Sequence, residues 1–322
     1  MKVHYSLENL PAFHHAVITT GTFDGVHLGH QQIIAQLKEE AASIDGETVI
    51  ITFHPHPRKI VSSIPGDIKL LNTLDEKIEL LDKAGIDHLV VVPFDHRFSN
   101  LTAEQFIKDF LWKYFHPHTI IIGYDHHFGK GREGNFQLLQ QFGKELNFIV
   151  KEIPEHILNA VTISSTNIRE ALYEHHIARA NECLGYDYFF EGLVIEGNKL
   201  GRTIGYPTAN LHIDSEEKLI PGNGVYVVEV SIVNDKSNPS NFSPFTIHHS
   251  LKGMMNIGVR PTVDGKKRMI EVNIFDFDED IYGETLRVYL KHYLRGEVKF
   301  NGLDELKIQL AKDRDQSREI LN

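Results

Sequence analysis

The sequence contains a single cysteine, Cys183, among 322 residues, so no disulfide bond can form within the chain. A lone thiol favours a reducing compartment, and we expect a cytoplasmic protein. The N-terminus lacks a basic segment followed by an apolar one, which argues against a secretory signal peptide. No apolar run approaches the roughly 20 residues of a membrane span, so no membrane partner is expected.

Positive charge is also scarce, because 33 Lys and Arg residues oppose 44 Asp and Glu residues, for a formal net charge of −11. A protein that binds the nucleic-acid backbone is usually basic, so we expect no nucleic-acid partner. An acidic chain can still bind polyphosphates through helix N-termini, a few cations and a metal ion. The hydrophobic content of 41% is typical of a globular protein, and the length favours two domains.

The first half alternates apolar runs with amphipathic segments. Strands are predicted at 15–23, 47–57, 86–94, 118–125 and 147–154, and helices at 29–42, 73–85, 102–115, 135–146 and 164–185. The second helix carries its own start and stop residues, with Thr73 as N-cap, Glu76 three residues on and Gly85 at the end. Such alternation predicts a parallel, doubly wound α/β sheet, whose ligands bind at the carboxyl ends of the strands.

After Gly185 the pattern changes to short strands, at 188–197, 224–233, 250–259, 269–277 and 285–294. A polar loop at 234–245 separates two of them, and a helix is predicted at 303–315. This half predicts an antiparallel barrel or sandwich with a terminal helix. We therefore expect two domains, residues 1–180 and 181–322.

The stretch "GTFDGVHLGH" (21–30) lies where the first strand ends and the first helix begins. Free backbone amides and the helix dipole favour phosphate at such a position. At helical spacing His27 and His30 can point the same way and donate hydrogen bonds to a polyphosphate. The alternative is an ordinary first turn of a helix with solvated histidines.

The stretch resembles the G-x-F-D-G-x-H-x-G-H motif of nucleotidylyltransferases, in the form carried by bacterial FAD synthetases. The segments "TFHPHPR" (52–58), "GYDHHFGKGREGN" (123–135) and "ISSTNIRE" (163–170) fit the same family in the same order. The resemblance implies that His27 and His30 are catalytic. It also implies a flavin ring walled by Phe53, Pro55 and Pro57, and contacts to the nucleotide and its phosphates from Gly21, Phe23, Asp24, Gly29, Asp125, Ser164, Ser165, Thr166 and Arg169. The family often has Phe and Arg where this chain has His126 and His127. Without the resemblance, a simple helix N-cap is the commoner meaning of Ser and Thr before a helix.

The stretch "GRTIGYPTANL" (201–211) combines glycines, a basic residue and two hard oxygen ligands. Thr and Asn oxygens suit Mg²⁺ shared with ATP phosphates, although a glycine-rich hairpin turn is an alternative. The stretch resembles the G-x-x-x-G-x-P-T-x-N motif of riboflavin kinases, and further matches follow at 224–230, 253–262, 271–290 and 294–313. The resemblance implies that Gly201, Arg202 and Gly205 bind ATP, that Thr208 and Asn210 bind Mg²⁺, and that Glu271 is the base. Many members have His where this chain has Asn273.

Together the resemblances cover residues 15–313 and imply the family of bacterial bifunctional FAD synthetases. The implied fold is a Rossmann-like nucleotidylyltransferase domain followed by an antiparallel β-barrel. The implied activity is phosphorylation of riboflavin to FMN and adenylylation of FMN to FAD, with ATP as co-substrate and Mg²⁺ as cofactor. One alternative is an adenylyltransferase whose barrel only binds flavin; another is a flavin- or nucleotide-sensing regulator built on the same folds.

Overall fold

The structure is a computed structural model that describes residues 1–61, 68–154, 163–233, 248–262 and 265–322. It divides into two compact units, Met1–Ser165 and Thr166–Asn322. The loop predicted at 234–245 lies outside the described residues. The domain boundary that we expect at residue 180 separates the residues for one reaction from those for the other, and it stays a prediction.

The first unit is built on a six-stranded sheet in the order β1-β4-β3-β2-β5-β6, and every neighbouring pair is parallel. Its strands are β1 (Lys2–His4), β2 (Val17–Thr20), β3 (Thr48–His54), β4 (His88–Pro93), β5 (Thr119–Gly123) and β6 (Ile149–Ile153). The predicted α/β fold is thus confirmed. The strand order changes direction between β2 and β5, which is where open α/β sheets bind ligands.

Helices connect these strands as the apolar periodicity predicts. They are α1 (Leu28–Ser43), α2 (Pro57–Val61), α3 (Leu74–Lys83), α4 (His96–Ser99), α5 (Ala103–Gln105), a π-helical stretch (Phe106–Trp112), α6 (Lys113–Phe115), a 3₁₀ turn (Lys130–Arg132) and α7 (Phe136–Leu146). The capping box at the start of α3 is confirmed: Glu76 N donates to Thr73 Oγ1 (3.2 Å) and Thr73 N donates to Glu76 Oε2 (2.8 Å). Gly85 follows the helix with a φ of 76°.

Strand residues of this sheet alternate between two buried clusters, one on each face. Ile18 and Ile51 pack with the aromatic side chains of the π-helical stretch, whereas Val17 and Ile50 pack with Ile34 of α1. Burial on both faces holds the carboxyl ends of β2 and β5 in place.

The second unit begins with α8 (Ser165–Tyr173), whose first residue still belongs to the first unit, and α9 (Ile177–Leu184). Six antiparallel strands then close a barrel in the order β10-β11-β8-β7-β12-β9. The elements are β7 (Phe189–Ile195), α10 (Leu200–Thr203), β8 (Ala209–His212), β9 (Gly224–Val233), β10 (His248–Thr262), β11 (Gly265–Ile274), β12 (Thr285–Arg295) and α11 (Leu303–Leu321). The structure thus selects the barrel over the sandwich.

Two strands escape the sequence analysis. β1 spans three residues and β8 four, which is too short for a two-residue alternation to stand out. β8 also lies in a stretch that reads as a glycine-rich turn, although it joins β7 to β11 and so closes the barrel.

Candidate active sites

The turn between β2 and α1 is tightly folded. Phe23 and Val26 have φ angles of 48° and 36°, and Gly25 between them has 88°. A positive φ is uncommon for a large or β-branched side chain, and such strain collects at functional sites. The turn is fixed at its ends by Gly21 N donating to Ile51 O (3.0 Å) and Gln31 Nε2 donating to Val26 O (3.0 Å).

His27 and His30 form a stacked pair, with ring centroids 3.7 Å apart and planes inclined by 17°. His27 is the N-cap of α1, and its Nδ1 accepts a hydrogen bond from His30 N (3.4 Å). Because Nδ1 is an acceptor there, the ring proton of neutral His27 lies on Nε2. Burial, followed by the charges of His27 and Lys77, lowers the pKa of His30 well below its usual value. His30 Nδ1 is buried and has no hydrogen-bond partner among the residues described.

Asp24 links this turn to two other segments. Its side chain is only 1% exposed, and its Oδ1 accepts from Leu71 N (2.9 Å) and Asn72 N (3.3 Å). Its main-chain oxygen accepts from Ser165 Oγ (2.9 Å). The Asp24 carboxylate therefore fastens the turn to Leu71 and Asn72, and the Ser165 hydroxyl is bonded to the main chain of the same turn.

Lys77 of α3 is a residue that the sequence analysis missed. It is 7% exposed, and its Nζ donates to Thr22 O (2.7 Å) in the same turn. The sequence did carry a signal, because Lys77 lies in register with the apolar Leu74, Ile78 and Leu81 of its helix. A lysine inside an apolar stripe is rarely buried without a specific partner.

The remaining expected residues of this site are placed as follows. Gly29 is buried in the first turn of α1, Asp125 is exposed just after β5, and Ser164 is half-buried before α8. Thr166 and Arg169 follow on α8 and fall within the second unit.

Phe53, Pro55 and Pro57 are half-buried at and beyond the end of β3. The ring of Phe53 contacts those of Phe94 (5.5 Å) and Phe98 (5.4 Å). An aromatic cluster at the end of a strand is a surface on which a planar ring system could pack.

The two histidines that depart from the family pattern differ in their surroundings. Burial lowers the pKa of His126 to about 4, and its Nε2 is buried without a partner among the described residues. His127 is exposed, and its Nδ1 lies 3.2 Å from Gly134 O.

In the barrel, Asn210 of β8 lies directly opposite Glu271 of β11. Directly opposed residues in an antiparallel pair project from the same face, so these two side chains are neighbours. Asn210 is 6% exposed, and its Oδ1 has no hydrogen-bond partner in the described part of the chain. A Cβ on Gly197 would collide with the Asn210 amide, so a glycine is needed there; the sequence analysis missed this position.

The turn before β8 is folded closely on itself. Tyr206 N donates to Gly201 O (2.8 Å), and a Cβ on Gly201 would collide with the main-chain oxygen of Tyr206. The Thr208 hydroxyl oxygen lies 3.5 Å from the point that a Cβ on Gly201 would occupy, so this hydroxyl is beside the Gly201 backbone. Arg202 and Gly205 are exposed in the same turn. Asn273 Nδ2 donates to Pro207 O (2.7 Å), so the residue found in place of the family's His supports this turn.

The side-chain oxygens of Thr208 and Asn210 fit the preference of Mg²⁺ for hard ligands, and Asn210 Oδ1 is buried without a hydrogen-bond partner among the described residues. Among the described residues, no three His, Cys, Asp or Glu side chains converge to hold a metal ion. A Mg²⁺ ion in this site would therefore take further ligands from nucleotide phosphates or water. A histidine pair at a helix start and hard oxygen ligands in a barrel are the kinds of groups that enzymes of phosphoryl and nucleotidyl transfer use.

Comparison with known proteins identifies the family. The FAD synthetase family model matches residues 10–167, and the riboflavin kinase model matches residues 184–321. The bifunctional riboflavin kinase/FMN adenylyltransferase of Escherichia coli K12 is 38% identical over 304 residues, which are 94% of this chain and 92% of the relative. The bifunctional riboflavin kinase/FMN adenylyltransferase of Haemophilus influenzae is 37% identical over 305 residues, which are 95% of this chain and 94% of the relative. The chain belongs to the family of bifunctional riboflavin kinase/FMN adenylyltransferases.

A crystal structure described as a macrolide-efflux protein from Streptococcus pneumoniae has the same fold, with a TM-score of 0.85 and 30% identity over 98% of both chains. In this chain, none of the described helices is long and apolar enough to cross a membrane.

Proposed function

We propose that this chain makes FAD from riboflavin in two ATP-dependent steps, one at each site. The barrel unit phosphorylates riboflavin to FMN, and the α/β unit adenylylates FMN to give FAD and pyrophosphate. The observation that carries this proposal is that each unit holds its own transfer groups. These are the stacked His27–His30 pair in one unit and Glu271 opposite Asn210 in the other.

In the adenylylation, a phosphate oxygen of FMN attacks the α-phosphorus of ATP, and pyrophosphate leaves. His27 and His30 donate hydrogen bonds to phosphate oxygens whose charge grows in the transition state. The positive end of the α1 helix dipole adds positive potential beside them. The low pKa of His30 keeps its ring neutral at pH 7, and a neutral imidazole still carries one N–H donor.

The other residues of this site bind and orient the substrates. Phe53, Pro55 and Pro57 pack against the flavin ring, supported by the aromatic cluster behind Phe53. The nucleotide and its phosphates are bound by backbone, hydroxyl and carboxylate groups of the first unit, namely Gly21, Phe23, Gly29, Asp125, Ser164 and Ser165. The expected phosphate-binding role of Thr166 and Arg169, which belong to the second unit, stays a prediction from the sequence. Asp24 contributes by holding the turn through its buried carboxylate.

In the phosphorylation, Glu271 accepts the proton of the riboflavin 5′-hydroxyl as that oxygen attacks the γ-phosphorus of ATP, and ADP leaves with the bridging oxygen. Gly201, Arg202 and Gly205 bind the phosphates, and Thr208 and Asn210 hold Mg²⁺. When bound, Mg²⁺ neutralises charge on the transferring phosphate. Asn273 cannot titrate, so its contribution is to hold the Pro207 carbonyl.

The substrates are small molecules, namely riboflavin, FMN and ATP, and neither nucleic acid nor a membrane takes part. The single thiol supports a cytoplasmic location.

The direct test is to incubate the purified chain with riboflavin, ATP and Mg²⁺ and to follow FMN and FAD by chromatography. We expect FMN to accumulate first and FAD to follow. FAD from supplied FMN but none from riboflavin would instead identify a barrel that only binds flavin. No conversion of either substrate would favour the sensing regulator.

A further inference from the structure

Lys77 occupies a position that is costly for a lysine. It lies on the buried face of α3, and burial lowers its pKa to about 8, opposed by the negative charge of Asp24. Asp24 offsets only part of the effect of burial, so the Lys77 ammonium loses its proton at a lower pH than an exposed lysine does. A packed core would accommodate an apolar side chain at this position at lower cost.

The hydrogen bond of Lys77 goes to the catalytic turn. Its Nζ donates to Thr22 O, which immediately precedes the strained Phe23–Val26 segment. Asp24 anchors the same segment through Leu71 N and Asn72 N. The turn is thus held at two points, by Lys77 of α3 and by the backbone amides of Leu71 and Asn72 before that helix. Of these two attachments, the one from Lys77 carries a positive charge.

The charge of Lys77 also reaches the histidine pair, because it lowers the pKa of His30 together with burial and the neighbouring His27. The negative charge of Asp24 in the turn opposes the lowering of the Lys77 pKa, and the charges of His27 and Lys77 both lower the pKa of His30. A change of charge at Lys77 is therefore felt at His30.

We propose that Lys77 is a positioning residue for adenylyl transfer, which fastens the catalytic turn through Thr22 O and sets the charge beside His30. This inference rests on the proposed role of His27 and His30. It predicts a dependence of FAD formation on the charged state of Lys77, which a purely structural lysine would not show.

The test compares Lys77→Met, which removes the charge, and Lys77→Arg, which keeps the charge at every accessible pH. Lys83→Met is the matched control, because Lys83 lies on the same helix in an exposed ion pair with Glu79. kcat/KM for FMN adenylylation is measured from pH 6 to 9.5, with riboflavin phosphorylation in the same chain as a reference and thermal unfolding as a check on folding.

We expect wild-type adenylylation to decline above about pH 8, as Lys77 loses its proton. Lys77→Met should lower kcat/KM about tenfold at pH 7.5 and abolish this decline. Lys77→Arg should retain activity above pH 8, while Lys83→Met should match the wild type.

A wild-type profile that is flat from pH 7 to 9.5, or a decline near pH 8 that persists in Lys77→Arg, overturns the inference even where Lys77→Met does not fold. His30→Ala separates this result from failure of the proposed function. If His30→Ala retains full FAD formation, the histidine role itself is wrong. If His30→Ala is inactive while folded Lys77 variants behave as wild type, only the role of Lys77 is wrong.

Discussion

Asn210 and Glu271 face each other across the β8–β11 pair of the barrel, and the Asn210 side-chain oxygen is buried without a hydrogen-bond partner in the described residues. An unsatisfied buried amide oxygen is unfavourable, because it has lost its hydrogen bonds to water without gaining others. The pair places the amide oxygen that we propose as a Mg²⁺ ligand next to the carboxylate that we propose as the base.

Glu271→Gln should stop FMN formation from riboflavin and leave FAD formation from supplied FMN intact. The substitution preserves the shape of the side chain but removes the proton acceptor. The measurement is the yield of each flavin from riboflavin and from FMN, fed separately. Phosphorylation of riboflavin at the normal rate would show that another group is the base.

His27→Ala and His30→Ala should each reduce FAD formation by about 10²-fold or more, as for loss of a transition-state donor. FMN formation from riboflavin should survive, because the residues proposed for that reaction lie in the barrel unit. Initial rates of FAD formation from FMN and ATP provide the measurement. Wild-type output from the double variant is the result that would contradict the assignment.

Thr208→Ala and Asn210→Ala should raise the Mg²⁺ concentration needed for half-maximal FMN formation and leave adenylylation of supplied FMN nearly intact. The matched control is Asn273→Ala, which loses the hydrogen bond to Pro207 but no proposed ligand. That control should lower the rate without changing the Mg²⁺ dependence. A normal Mg²⁺ titration of both ligand variants would refute the metal role.

A fragment of residues 181–322 should fold and convert riboflavin to FMN but no further, because all the residues proposed for the kinase reaction lie after it begins. A fragment of residues 166–322 should do the same with a higher melting temperature. It retains His175, whose ring stacks on Tyr293 at 4.1 Å and whose Nδ1 lies 2.9 Å from Tyr226 Oη.

Circular dichroism melting and FMN yield test both fragments. If the shorter fragment is folded but makes no FMN, the kinase reaction needs residues before 181. Equal melting temperatures would show that the contacts of His175 add nothing to the stability of the barrel.

The sequence alone predicted what depends on neighbouring residues. The apolar periodicity of residues 29–42 predicted α1, whose buried residues include Ile34, Leu37 and Ala41, and Thr73 with Glu76 predicted the start of α3. These features are local, because helix periodicity and capping act over three or four residues. The ordered motifs around His27 and Glu271 likewise indicated the family from the residues themselves.

The tertiary structure decided what depends on residues far apart in the chain. Register across the barrel places Asn210 opposite Glu271, and burial against the sheet brings Lys77 of α3 to Thr22. Strand pairing and packing are selected by the total surface buried in the folded unit, and no sequence window contains that information. For the same reason His175, within a run predicted as helical, instead takes a φ of 66° between two helices and contacts two tyrosines of the barrel.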